Sequence, residues 1–423
     1  MFLLTSVVVV LLQATPVQPT TPDGCVKAAR DFVVAQQRAL PRVTAEAVRK
    51  IDADKVAAAQ ACAAQFSVST ARETDLPALI ALYTEAAQPA LAQAALDRAL
   101  ASRTLAPRTR AEVLAQAVTT GLRDTKSAER NARLERFVDE LDRLVGDDGD
   151  DLLDLKVTTH NRMNGYYRGD DIDDGIIKHS TWLIERARTF SQAQRTQFGI
   201  SVVGAHINMA EALAGRGHTE RARALLASAR KDWGSLPNAD RMLDSAIARY
   251  ALIGTVGAPI VAPRWLNAPA NTTMPMTDAV TLLEFTAHWC VPCKESYPGL
   301  KRLLAKYESQ GFRVVMATEL YGYFGTERPL TAEVEFERDR EYWEHEGLRV
   351  PIAVADQRSL PVRQADGSYV AVENPNDAAY RVGGIPQIHL IDRHGKIRLI
   401  MVGYDDTNEP FLADLIEKLL KER

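Results

Sequence analysis

The chain reads as two regions of different class: an all-α region of helical hairpins over residues 25–252, then an α/β domain over 253–423 with a central mixed sheet flanked by helices. Three observations predict this. The 423 residues exceed one ordinary domain. From Cys25 to about Leu252 apolar residues recur at helical spacing, as at Leu134, Phe137, Leu141 and Leu144, with few strand signals. Beyond Asp278, short apolar runs alternate with amphipathic stretches, the mark of strands interleaved with helices. A 46% hydrophobic content is ample for real cores, and the net charge of -4 without a dense basic run excludes the footprint of a nucleic-acid binder.

Residues 1–24 stand apart. Phe2 to Leu12 form an apolar run of signal-peptide length, too short to span a bilayer. A Pro-rich polar stretch comes next and reads as a flexible N-terminus. No Lys or Arg precedes the run and no A-x-A site follows it. Pro22-Asp23-Gly24 before Cys25 does not look like a lipoprotein signal, so no lipid anchor is expected. The reading is export to an extracytoplasmic, periplasmic compartment; the alternative is a short buried segment.

Within 25–252, Ala-, Leu- and Arg-rich helices are separated by breakers such as Gly146-Asp147-Asp148-Gly149, Gly215-Arg216-Gly217 and Ser235-Leu236-Pro237. In one hairpin, Ala210, Leu213, Gly217, Ala222, Leu226 and Ala229 fall at the spacing of a tetratricopeptide repeat, which the segment resembles. A second hairpin around Tyr166, Gly169 and Ile176 is only loosely similar, and the period between them is not kept. A generic helical hairpin is the other reading. Either way the region is expected to be a scaffold or docking surface for a protein partner.

Gly, Pro and Asn break the helical pattern between Ile253 and Asp278, part linker and part a first strand, Ile260 to Trp265. Further strands are expected at Val280–Phe285, Phe312–Ala317, Gln387–Ile391 and Lys396–Val402, the last two joined by the turn Asp392-Arg393-His394-Gly395. An insertion at about 320–380 holds an acidic helix (Ala332 to Glu346), a strand (Ile352 to Ala355) and a hairpin tipped by Asp366-Gly367. Tyr321, Tyr323 and Phe324 within it either line a substrate groove or simply pack. The closing helix buries Phe411, Leu412, Leu415, Ile416 and Leu419.

The motif that carries chemistry is Trp289-Cys290-Val291-Pro292-Cys293. It succeeds an apolar strand and opens a helix with Leu300, Leu303, Leu304 and Tyr307 on one face. A cysteine there meets unpaired backbone N–H groups and the positive end of the helix dipole, both favouring thiolate over thiol. Cys290 is expected to be the exposed nucleophile, and Cys293, one turn inside, the buried resolving thiol. Pro292 starts the helix without wasting a donor. Structural zinc wants four ligands, and no second Cys/His pair lies nearby, so no metal is expected. Cys25 and Cys62 remain for each other, as a bridge between antiparallel helices in an oxidising compartment, or stand as two unrelated buried thiols.

The segment LLEFTAHWCVPCKESYPGLKRL, with GIPQIHLIDRHGKI some distance on, resembles the thioredoxin superfamily, and within it the exported TlpA/ResA-like thiol–disulfide oxidoreductases. The resemblance covers about residues 255–423. It implies a cis peptide at Pro386, opposite Cys290, with the Ile385 backbone pairing to an extended client segment and Trp289 beside it. It also gives Glu284 a role. A carboxylate inside an apolar strand is costly, and thioredoxins carry a buried Asp at the matching position that moves a proton to or from the second cysteine. The other reading of Glu284 is a strand-edge residue facing water. One departure is Ser296, where many TlpA/ResA-like members have Glu; Glu295, about 100° around the helix, is expected to be solvated.

The chain is therefore expected to be a thiol–disulfide oxidoreductase, tilted by the resemblance toward reduction of protein disulfides. Cys290, Cys293 and Glu284 would be catalytic, and Trp289, Ile385 and Pro386 client-binding. Its cofactor is its own Cys290–Cys293 couple. Its partners are disulfide-bearing clients and a thiol electron donor, including a membrane carrier of reductant. Two alternatives stay open: a partner-binding helical scaffold whose second domain is a redox sensor or tether, and a disulfide isomerase.

Overall fold

The computed structural model describes residues 19–39, 45–146, 152–169, 173–356, 362–363, 369–370, 374–404 and 408–422. The apolar run at 2–12 and the Asp366-Gly367 tip lie outside these. Packing groups the chain into two compact units, 1–159 and 160–423.

The first helices are α1 (Pro22–Ala39), α2 (Ala45–Ala63), α3 (Leu76–Glu85), α4 (Pro89–Ala101), α5 (Pro107–Gly121), α6 (Ala128–Arg143) and α7 (Leu153–Gly169). Residues 22–24, expected to be flexible, instead open α1. Thr21 caps it by accepting the Gly24 N–H at 3.2 Å, and Pro22 at the first turn forfeits no hydrogen bond. Leu76, Leu79, Leu82, Tyr83, Leu96 and Val113 form the core of the first unit with the Cys25–Cys62 disulfide, which joins α1 to α2.

Helices α8 (Asp173–Ala187), α9 (Gln192–Gly215), α10 (Thr219–Trp233) and α11 (Ala239–Ala251) come next. The hairpin of α9 and α10 stands where the sequence places it. Ala210, Leu213, Ala222, Leu226 and Ala229 are buried, and Gly217 takes the left-handed φ of +79° that its turn requires. Helix lengths run from 10 residues in α3 to 24 in α9, so no repeat of fixed length spans the helices.

The change from helices to strands near residue 252 falls inside the second unit. α9 packs on the sheet's edge, and just past α11 the Gly254 N–H donates to the Ile397 carbonyl at 2.7 Å while Ile397 N–H returns a bond to Thr255 at 2.9 Å. The strands are β1 (Ile260–Val261), β2 (Arg264–Leu266), β3 (Thr273–Met274), β4 (Val280–Phe285), β5 (Phe312–Glu319), β6 (Ile352–Ala355), β7 (Val362–Arg363), β8 (Tyr369–Val370), β9 (Gln387–Ile391) and β10 (Ile397–Val402). The expected first strand, Ile260 to Trp265, is split in two. Pro263 has no N–H for a ladder, so β1 pairs with β3 and β2 with β6.

Six strands form one mixed sheet in the order β10-β9-β4-β5-β6-β2. β4, β5 and β6 run parallel, while β9 is antiparallel to both β4 and β10. Helices α12 (Val291–Tyr307), α13 (Ala332–Glu346), α14 (Pro375–Tyr380) and α15 (Glu409–Lys421) complete the unit. Val280, Leu282, Val314, Met316, Ile388 and Leu390 share one core cluster with Leu300, Leu303 and Tyr307 of α12 and Leu412, Ile416 and Leu419 of α15. Phe411 and Leu415 are only partly buried against it. A mixed sheet flanked by helices is what the thioredoxin resemblance implies, and this half of the chain builds it. Among the described residues no helix is long and apolar enough to cross a membrane.

Candidate active site

Every residue of β4 is buried, between a parallel neighbour and an antiparallel one. The chain leaves this central strand at Phe285 and re-enters regular structure at α12, so the short turn 286–290 stands at the end of the sheet. Cys290 is the N-cap of α12, its sulfur accepting the Cys293 N–H at 3.2 Å. Cys290 and Cys293 are joined as a disulfide. Cys293 is 0% exposed, as expected of the resolving thiol, but Cys290 is only 3% exposed. The expectation of an exposed nucleophile is therefore corrected: with the bond closed, its sulfur belongs to the same core cluster as Cys293. What projects is its neighbours, Trp289 at 43% and Val291 at 64% exposed.

Glu284 is 0% exposed, in the middle of the sheet rather than at an edge. Alternation along β4 puts it on the same face as Val280 and Leu282, toward α12. There Ser296 Oγ lies 3.2 and 3.1 Å from the two carboxylate oxygens and 2.7 Å from the Cys293 carbonyl. Burial pushes the Glu284 carboxyl up to about 8, with Ser296 and Thr286 pulling it partly back. At neutral pH it therefore holds its proton, and its hydroxyl partner touches the turn of α12 that carries Cys293. Ser296 is a site residue that sequence reasoning passed over as a mere departure. Glu295 is exposed, as expected.

The Ile385–Pro386 peptide is cis. β9 begins at Gln387, opposite Phe285, so Pro386 lies at the end of the sheet from which the Cys290 turn springs. The Pro386 carbonyl accepts the Gly403 N–H at 2.8 Å. Ile385 is partly buried against the core.

A further cluster was not foreseen from the sequence. His288 and Asp339, side chains 3% and 1% exposed, meet with Nδ1 3.2 Å from Oδ1, a contact whose angle is poor for a hydrogen bond. Tyr321, Tyr323 and Phe324 gather around His288 with ring centroids 5.9, 5.6 and 4.7 Å away, and Tyr321 also meets Trp289 edge-on at 5.4 Å. These half-buried aromatics thus enclose a histidine two residues before Cys290. Glu335 on α13 ties their loop down by accepting the Tyr321 and Gly322 N–H groups at 2.6 Å each. Burial raises both the Glu335 and Asp339 carboxyls; two backbone donors on the first and His288 beside the second pull them only partly back. The spacing of Glu335 and Asp339, four apart on one helix, was a signal that these residues share a face.

No protein-family model matches the chain, and no curated protein matches it. Solved structures similar to it include proteins described as thiol–disulfide proteins. A protein of Chlorobium tepidum assigned as thiol:disulfide interchange protein DsbE is 23% identical, matching 40% of this chain and 97% of its own, with a TM-score of 0.29. The thioredoxin domain of a thiol-disulfide oxidoreductase from Bacteroides vulgatus is 18% identical, matching 40% and 98%, with a TM-score of 0.28. StoA from Bacillus subtilis is 16% identical, matching 37% and 98%, with a TM-score of 0.25.

Proposed function

We propose that the chain is an extracytoplasmic thiol–disulfide oxidoreductase that reduces disulfides of client proteins. The single observation behind this is the Cys290–Cys293 pair at the N-terminus of α12, with a buried carboxyl, Glu284, linked through Ser296 to the turn that carries Cys293. In the reduced enzyme the Cys290 thiolate attacks one sulfur of a client disulfide. A mixed disulfide forms, and the client's other sulfur leaves as thiolate and takes a proton from water. Cys293 then gives its proton to Glu284, in the fraction of molecules whose Glu284 has released its own, and attacks the Cys290 sulfur. The Cys290–client bond breaks and the second client sulfur departs. Two electrons have passed from the enzyme dithiol to the client, and Glu284 ends protonated, the state its burial favours. A thiol donor, a dithiol protein or a membrane carrier of reductant, restores the pair. Trp289, Ile385 and Pro386 are the proposed client-contact residues. The Cys25–Cys62 bridge is at home in the oxidising compartment this reading needs.

The test is reduction of insulin disulfides by the full chain with a dithiol donor. Cys290→Ser is expected to abolish it, and Cys293→Ala to accumulate mixed disulfides. Full turnover by Cys290→Ser would end the proposal. The near-complete burial of Cys290 favours one other reading, a binding protein whose helices recruit a partner and whose second domain is a redox sensor or tether. That reading expects no trapped client with Cys293→Ala.

A further inference from the structure

Beneath the loop that leads into Pro386 lies a buried cluster of charge contributed by the helices. Arg249, near the end of α11, is 4% exposed. Its Nη1 donates to Glu211 of α9 at 2.7 Å and its Nε to the Arg381 carbonyl at 3.2 Å. The Nη2 end of the guanidinium abuts Gly383: a Cβ there would sit 1.7 Å from Nη2 and 2.7 Å from Cζ. Glu211, 6% exposed, takes Arg168 Nε on its other oxygen at 2.8 Å. Burial pushes the Glu211 carboxyl up, but Arg168 and Arg249 together outweigh it and hold it below the usual carboxylate range. From the other side Gln387 pins the same loop. Its Oε1 accepts the Gly383 N–H at 3.1 Å, and its Nε2 donates to the Tyr380 carbonyl at 3.1 Å and to His389 Nε2 at 2.9 Å. Removing charges from water is costly, and apolar packing fills the same space more cheaply. What a planar, multidentate guanidinium adds is direction.

We propose that Arg249, held by Glu211, is a positioning residue for client binding: it fixes the Arg381–Gly383 backbone and so sets where the Ile385–Pro386 segment meets a client's extended chain. The inference rests on the oxidoreductase reading and gives the helices α9 and α11 a part in it. Small disulfides, which need no strand pairing, would not feel the change.

Two variants of the full chain test this. Arg249→Lys keeps the charge opposite Glu211 but cannot also reach the Arg381 carbonyl, and Gly383→Ala adds a methyl where the guanidinium lies while keeping every buried charge. The measurements are steady-state reduction of insulin and of oxidised glutathione, the Cys290–Cys293 midpoint potential, and the thermal midpoint. The expected result is an insulin KM raised about tenfold in each, as loss of one charge-assisted hydrogen bond predicts, with kcat, the glutathione rate and the potential within about twofold. The double variant is expected to be less than multiplicative, because the two changes act on one contact. An unchanged insulin KM in a folded variant overturns the proposal, and so does a parallel fall in insulin and glutathione rates. Should the Lys variant lose its fold, Gly383→Ala carries the measurement. A wild-type chain that reduces neither disulfide strikes instead at the oxidoreductase reading.

Discussion

Replacing Glu284 by Gln keeps the shape of the side chain and its contact with Ser296 but removes the ability to ionise. In the folded protein the carboxyl is raised from 4.5 to about 8. At about 1.4 kcal/mol per pH unit, that difference is worth about 5 kcal/mol at most, and about half of it is a safer expectation. The sign is set by where the proton is held more tightly, which is the folded state. The contribution is therefore fully present below about pH 4.5, declines as the unfolded chain ionises, and has gone once the pH passes about 8. Wild type should lose stability across that window while Glu284→Gln does not. The two proteins should be similar at pH 4.5, with the variant ahead by about 2–5 kcal/mol at pH 9. Guanidinium unfolding of the oxidised chain, monitored by far-ultraviolet circular dichroism from pH 4.5 to 9, reads this directly. Ser296→Ala is a useful companion. Its hydroxyl pulls the carboxyl down, so its removal should carry the loss to still higher pH. Parallel pH profiles for wild type and Glu284→Gln would refute the reasoning, because a carboxylate already ionised, or one in water, would produce them.

The Cys25–Cys62 bridge closes a loop of 37 residues, for which chain entropy predicts about 4 kcal/mol. The double Ser variant should lose most of this, read as a lower thermal midpoint for the first unit, and an equal midpoint speaks against a stabilising bridge. Asp339→Ala removes the buried carboxyl beside His288 and leaves a void there, so it should cost about 2 kcal/mol, more than Asp339→Asn, which keeps the volume and a polar neighbour. Thermal unfolding of the two variants checks the order.

The site was legible where local chemistry and periodicity agree. Val280–Phe285 appears as a strand because a short run with four apolar residues leads into a helix start, and Ile352 to Ala355 and the acidic helix Ala332 to Glu346 appear at the bounds read from their patterns. Glu284 stood out because a carboxylate in such a run demands a reason. Burial of the Cys290 sulfur was not legible, since helix-terminus chemistry describes reactivity and says nothing of what packs over a closed disulfide. Pro263 was in plain view but its missing donor was not weighed against the strand pattern around it. Arg249 and Glu211 were invisible for a different reason. Their partners lie 38 residues apart on different helices and 132 residues on in a loop, so each alone reads as an ordinary solvated helix residue.

The two margins of the six-stranded sheet bear on how the chain behaves at high concentration. β10 is overlaid by α9. β2, at the opposite margin, is three residues long, comes after a proline, and starts with Arg264, whose guanidinium is engaged by Asp356 and Glu333. A stranger's β-strand thus finds a roofed border on one flank and a stubby, charge-guarded one on the other, which discourages sheet-to-sheet fusion between copies.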